Sequence, residues 1–187
     1  MKIGFFGGAF NPPTIAHINL VKEALKEYSF DAIYFVPVNN FYKKQGLIDI
    51  SQRIDMLNLE CKDNSKMFVS DIEQEMNRSF KANEIFETIK EKYSNDDIYF
   101  LMGEDNYEKM SSWENYEKLK EYKYLIFQRR ENKALEIKSP NIIYMENKEN
   151  LKISSSIIRN MIRKNQDIEK YVSKDVKEYI IENNLYN

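Results

Sequence analysis

The sequence predicts an α/β domain built on a parallel sheet with helices on both faces. Three observations predict it. Short, continuously apolar runs recur, such as AIYFVPV at 32–38 and DIYFLM at 97–102; apolar residues at helical spacing fill the stretches between them; and glycines gather at the end of the first run. A strand buried on both faces reads as an unbroken apolar run, whereas a half-exposed one alternates. Strands alternating with helices at this spacing return parallel to one another through right-handed crossovers.

Each element follows from its residues. Residues 2–6 form a first strand that ends at Gly7-Gly8. Ile18, Leu20, Val21, Ala24 and Leu25 carry the helical spacing over 18–27. A second strand spans 32–38. Ser51 is placed to cap a helix through Ile54, Leu57 and Cys61. Met67–Val69 is a third strand, and Ile85, Phe86 and Ile89 share one face of a helix at 82–93. A strand at 97–102 stops at Gly103, a helix at 113–122 follows, and 124–128 and 141–145 are further strands. Two helices, 155–164 and 173–183, close the chain, each opening at a serine suited to capping. The polar stretch 130–139 reads as a loop. With no repeat and no Gly-, Pro- or Ser-rich linker, residues 1–187 read as a single domain.

Composition narrows the function. Hydrophobic residues make up 42% and charged ones 31%, a globular balance. The formal net charge of −2 supplies no basic field for nucleic acid. A single cysteine, Cys61, excludes an intramolecular disulfide framework and suits a reducing, cytoplasmic setting. The opening residues carry no signal-peptide pattern, and no apolar stretch approaches the ~20 residues of a membrane helix. One histidine and one cysteine cannot make a zinc site of ordinary ligand count. A homo-oligomer is left open.

Three of the five glycines, Gly4, Gly7 and Gly8, lie within the first eight residues. In open α/β sheets ligands bind beyond the carboxyl ends of strands, where Gly7-Gly8-Ala9-Phe10 brings backbone close to an anion and the next helix aims its positive end. An ordinary strand-to-helix turn explains the same glycines. A dehydrogenase turn does not: the spacing is G-x-x-G-G, and the second strand ends in Pro37-Val38-Asn39-Asn40 without an acidic residue. His17 is the only histidine, and Thr14 three residues earlier can point to the same spot. Near the other end, Ser154-Ser155-Ser156 opens a helix with Arg159 one turn on, offering hydroxyls, N–H groups and a guanidinium fork to phosphate. Simple helix capping explains the serines equally well.

Together the two segments resemble the nucleotidyltransferase superfamily with a His-x-Gly-His signature: Gly7-Gly8-Ala9-Phe10-Asn11-Pro12, then Thr14-Ile15-Ala16-His17, then Ser155-Ser156 with Arg159. Within it the chain looks most like the bacterial nicotinate-nucleotide adenylyltransferase family. Phe35-Val36-Pro37 followed by Lys43-Lys44-Gln45 resembles that family's second strand and lysine loop. Gln52-Arg53-Ile54-Asp55-Met56-Leu57 resembles its H-R-x-x-M-L helix, and Met102-Gly103-Glu104-Asp105 with Trp113 its G-x-D and tryptophan. The ending Asn184-Leu185-Tyr186 also matches.

The resemblance implies a Rossmann-like fold and attack by an acceptor's 5′-phosphate on the α-phosphorus of ATP, with Mg²⁺ arriving bound to ATP. It assigns His17 and the Gly7, Gly8, Ala9 and Phe10 backbone to the α-phosphate region, and Thr14 to the neighbouring phosphates. Lys44, with Lys43 as substitute, reaches the phosphates from its loop. Ser155, Ser156 and Arg159 hold the β- and γ-phosphates, Gly103 and Asp105 a ribose, and Trp113 stacks on the acceptor ring or anchors its helix in the core. Arg53 is either a ligand or a structural partner of a carboxylate. The chain departs from the family at Thr14 and Ala16, which replace a histidine and a glycine, and at 79–84, where a hydroxyl-rich stretch is expected. Other phosphate-bearing acceptors (nicotinamide mononucleotide or phosphopantetheine) and a nucleotide-binding sensor therefore stay open.

Overall fold

The structure is a computed structural model, described here for residues 1–76, 78–128, 140–146 and 154–187. Residues 130–139 and Ile153 lie outside the described residues. The element order is β1 (Lys2–Gly8), α1 (Ile15–Glu27), β2 (Ala32–Pro37), α2 (Ile50–Cys61), β3 (Met67–Val69), α3 (Ile72–Met76), α4 (Ala82–Lys92), β4 (Asp97–Gly103), α5 (Glu104–Lys109), a 3₁₀ turn (Met110–Ser112), α6 (Tyr116–Leu119), β5 (Lys123–Gln128), β6 (Ile142–Glu146), α7 (Ser155–Arg163) and α8 (Lys174–Glu182).

All strand pairings are parallel, in the order β3-β2-β1-β4-β5-β6. The chain builds outward one way from β1, then crosses back to β4 on its other side. That reversal opens a crevice above the carboxyl ends of β1 and β4.

Alternate side chains of each strand feed two cores. Phe6, Phe35, Leu101 and Leu125 face one way, with Ile18, Val21 and Ala24 of α1 upon them. Phe5, Val36, Phe100 and Ile126 face the other, covered by Ile85 and Ile89 of α4. Both faces are dry, which explains the unbroken apolar runs. A third cluster joins Met56 of α2, Ile158 of α7, and Val176 and Ile180 of α8 with Leu185 and Tyr186.

The structure corrects three local readings. Asp49, not Ser51, caps α2, its carboxylate accepting the Ser51 N–H at 2.8 Å. The helix expected over 113–122 shrinks to α6, because Trp113 is extended (ψ 148°) and Asn115 sits in the left-handed region (φ 60°). Ser154 caps α7, so Ser155 and Ser156 are its first helical residues rather than the cap.

Candidate active site

The glycine pair belongs to β1 rather than to a turn beyond it: Gly7 pairs with Val36 and Gly8 with Pro37. A β-carbon on Gly7 would meet nothing within 4 Å, so the backbone there borders open space. Gly8 has a different reason to be glycine. A β-carbon on it would lie 2.8 Å from Phe10 Cζ. Phe10 itself is buried in a left-handed conformation (φ 43°) and packs edge-on against Phe6, Phe35 and His17. The chain then passes through a cis Asn11–Pro12 peptide into α1.

Helix α1 starts at Ile15, three residues earlier than the apolar spacing indicates, and Thr14 is its N-cap. Thr14 Oγ1 accepts the His17 N–H, and His17 Nδ1 accepts the Thr14 N–H at 3.1 Å, forming a capping box. Thr14 Oγ1 lies 2.8 Å from the same Nδ1, and Thr14 is 1% exposed. The two residues thus meet each other, and the threonine oxygen serves the helix end. Because Nδ1 accepts from the backbone, this network assigns the neutral ring's proton to Nε2, which makes that nitrogen a donor.

The two ends of the chain converge here. Ser155 Oγ donates to Pro12 O at 2.9 Å, and Arg159 Nη1 donates to Asn11 O at 2.9 Å. Arg159 Nη2 reaches Ser156 Oγ at 3.3 Å. Asn11 is fully buried and ties in the loop after β2, its Nδ2 donating to Gly46 O at 2.7 Å. Gly46 needs its left-handed φ of 70° and lies beside the Arg159 guanidinium. Arg53 is fully buried and donates to Ile48 O through Nε and to Ala9 O through Nη1, both at 3.0 Å. Its partners are backbone carbonyls, not the carboxylate expected from sequence. Burial lowers it to about 10, which leaves it cationic at neutral pH.

A cavity of about 640 Å³ extends from the glycine strand. Gly7, Gly8, Ala9, Lys43, Lys44 and Trp113 line it, whereas Phe10, Thr14, His17, Ser155, Ser156 and Arg159 are not among its lining residues. Lys44 is held below its ordinary pKa by desolvation and by the Arg159 charge, so the ammonium lies within electrostatic reach of that guanidinium. Trp113 is half-buried, packs on the second core and lines the cavity. Gly103 ends β4 and Asp105 is exposed in α5; neither lines the cavity, whereas Asn106 does.

Sequence reasoning missed Glu73 as a lining residue and met Lys81 only as a departure within the stretch 79–84; both line the cavity. Glu73, on the five-residue α3, is 7% exposed and accepts the Asn39 N–H at 2.7 Å. Burial pushes its carboxyl up to about 7 against the opposing pull of that hydrogen bond. Lys81 pairs with Glu114, the neighbour of Trp113. Among the described residues no group of three potential metal ligands comes together, and no helix is long and apolar enough to cross a membrane.

Residues 5–161 match the family model described as cytidylyltransferase-like. A Flavobacterium johnsoniae protein named probable nicotinate-nucleotide adenylyltransferase is 34% identical over 191 residues, covering 100% of this chain and 99% of its own. A protein of the same name from Fusobacterium nucleatum is 34% identical, covering 96% and 97%. Among solved structures, a Plasmodium falciparum nicotinic acid mononucleotide adenylyltransferase complexed with NaAD superposes with a TM-score of 0.86 at 27% identity, covering 99% of this chain and 97% of that one. The family match over residues 5–161 and these full-length likenesses agree: the chain belongs to the cytidylyltransferase-like family and is a nucleotidyltransferase.

Proposed function

We propose that the protein transfers the adenylyl group of ATP to nicotinate mononucleotide. The observation that carries this reading is the convergence of Arg159 and Ser155 on the Asn11 and Pro12 carbonyls, beside a cavity with Trp113 in its wall. Relatives named for this reaction along the full chain support the acceptor.

In this reaction an acceptor phosphate oxygen bonds to the α-phosphorus of ATP. The bond from that phosphorus to the β-phosphate bridging oxygen breaks, and pyrophosphate leaves with the electron pair. The acceptor phosphate is already ionised at neutral pH, so no general base is required. Positioning and charge stabilisation do the catalysis. His17 Nε2 donates to an α-phosphate oxygen, Lys44 and the Arg159 side of α7 hold the leaving phosphates, and Trp113 stacks on the acceptor ring. Magnesium enters with ATP and supplies charge neutralisation on its phosphates.

The test is pyrophosphate release and product mass with MgATP and a panel of acceptors: nicotinate mononucleotide, nicotinamide mononucleotide and phosphopantetheine. Release with nicotinate mononucleotide is expected; release only with another acceptor, or with none, overturns the reading.

A further inference from the structure

The cationic side chains of the cavity fall into two neighbourhoods. Lys43 and Lys44 stand on the loop after β2, and Lys44 feels the Arg159 charge. Lys81 stands at the start of α4, and its ammonium pairs with Glu114 next to Trp113. Both Lys81 and Glu114 line the cavity with that indole. The nearby Glu84 is engaged elsewhere: its carboxylate takes the Lys81 N–H at 2.8 Å and the Arg78 guanidinium at 2.6 Å. The side chains of Lys81 and Glu114 are 59% and 57% exposed. Such a pair contributes little in water, so an arriving anion can displace Glu114 at small cost. The cavity therefore offers one cationic neighbourhood toward the phosphates and a second beside the aromatic wall.

We propose that Lys81 is a specificity residue of the acceptor pocket: it exchanges Glu114 for an anionic substituent on the acceptor's ring, favouring a ring carboxylate over a neutral carboxamide. This rests on the functional reading above and adds a named discriminator to it. A carboxamide gains no ion pair from the exchange, so nothing offsets the loss of Glu114. Glu114 acts as a place-holder, holding the ammonium at the cavity wall when no acceptor is bound.

The experiment measures kcat and KM for nicotinate mononucleotide and nicotinamide mononucleotide in the wild type and in Lys81→Met, Lys81→Arg and Glu114→Gln. In Lys81→Met, kcat/KM for the acid is expected to fall by about tenfold or more, through KM, as loss of a charged hydrogen bond predicts. The amide value stays within about twofold, and Tm is unchanged. Lys81→Arg restores the preference, and Glu114→Gln lowers KM for the acid alone. An equal loss for both acceptors in Lys81→Met, or an unchanged acid-to-amide ratio, overturns the proposal while leaving adenylyl transfer intact. A wild type inactive with nicotinate mononucleotide overturns the functional reading, and the proposal falls with it.

Discussion

Arg159 Nη1 donates to the main-chain oxygen of Asn11 at 2.9 Å, joining positions 148 apart in sequence. The same guanidinium reaches Ser156 Oγ and borders Gly46, so one side chain aligns the end of the glycine segment, the first turn of α7 and the lysine loop. Arg159→Lys keeps the charge and loses the fork. Its expected effect is a fall of about a hundredfold in kcat/KM and a loss of about 2 kcal/mol in stability, because a buried charged hydrogen bond is lost. Pyrophosphate-release kinetics and thermal melts check both; a lysine variant with wild-type kinetics refutes the positioning role.

His17 and Thr14 close the N-terminal end of α1 together, and the proposed reaction gives the catalytic role to His17. His17→Ala is expected to lower kcat about a hundredfold, with a smaller change in KM for ATP, as for a donor that acts most strongly in the transition state. Thr14→His brings back the family's histidine but removes the cap from a site that is 1% exposed. The expected result is about 1 kcal/mol lower stability and no gain in kcat. A faster Thr14→His enzyme would show that the missing histidine, not the cap, governs turnover.

Of the three glycines of β1, Gly7 and Gly8 differ in what an added side chain would meet. Gly8→Ala forces a methyl against the Phe10 ring, which Phe6, Phe35 and His17 hold in place. It is expected to cost about 1–3 kcal/mol. Gly7→Ala meets no protein atom within 4 Å, so Tm holds while KM for ATP rises. Equal melting temperatures for the two variants, or an unchanged KM in Gly7→Ala, contradict this division.

Glu73 ties stability to pH. Its folded pKa is about 7 against an ordinary 4.5, raised by burial. Between these values the folded chain holds a proton that the unfolded chain has lost. The stabilising contribution is therefore complete below 4.5 and is lost as pH rises through 7. Glu73→Gln keeps an acceptor for the Asn39 N–H without the ionisation. It should raise Tm at pH 8 relative to wild type and do much less at pH 4.5, in melts across that range. A Tm difference independent of pH contradicts the assignment.

The sheet was legible because its strands are buried on both faces, and residues such as Phe35-Val36 announce this without interruption. The short elements were not. Helices α3 and α5 have five and six residues, too few to display a period. The 113–122 stretch has helical composition, but Asn115 breaks it with a left-handed backbone that its neighbours do not signal. In the site, the phosphate segments stood out as glycine and serine clusters. Their ties did not, because Arg53–Ala9, Arg159–Asn11 and Asn11–Gly46 join a side chain to a carbonyl that any residue carries. Lys81 was visible only as a departure from a resemblance; its pairing with Glu114 required the fold.

The joining of residues near Asn11 to Arg159 also orders events during synthesis. A ribosome releases the glycine segment first and the serine helix late. Until that helix emerges, the Asn11 and Pro12 carbonyls lack their partners Arg159 and Ser155. Nascent chains and fragments that stop before residue 155 therefore lack both of these ties, and the two ends of the fold are joined only in protein translated past residue 159.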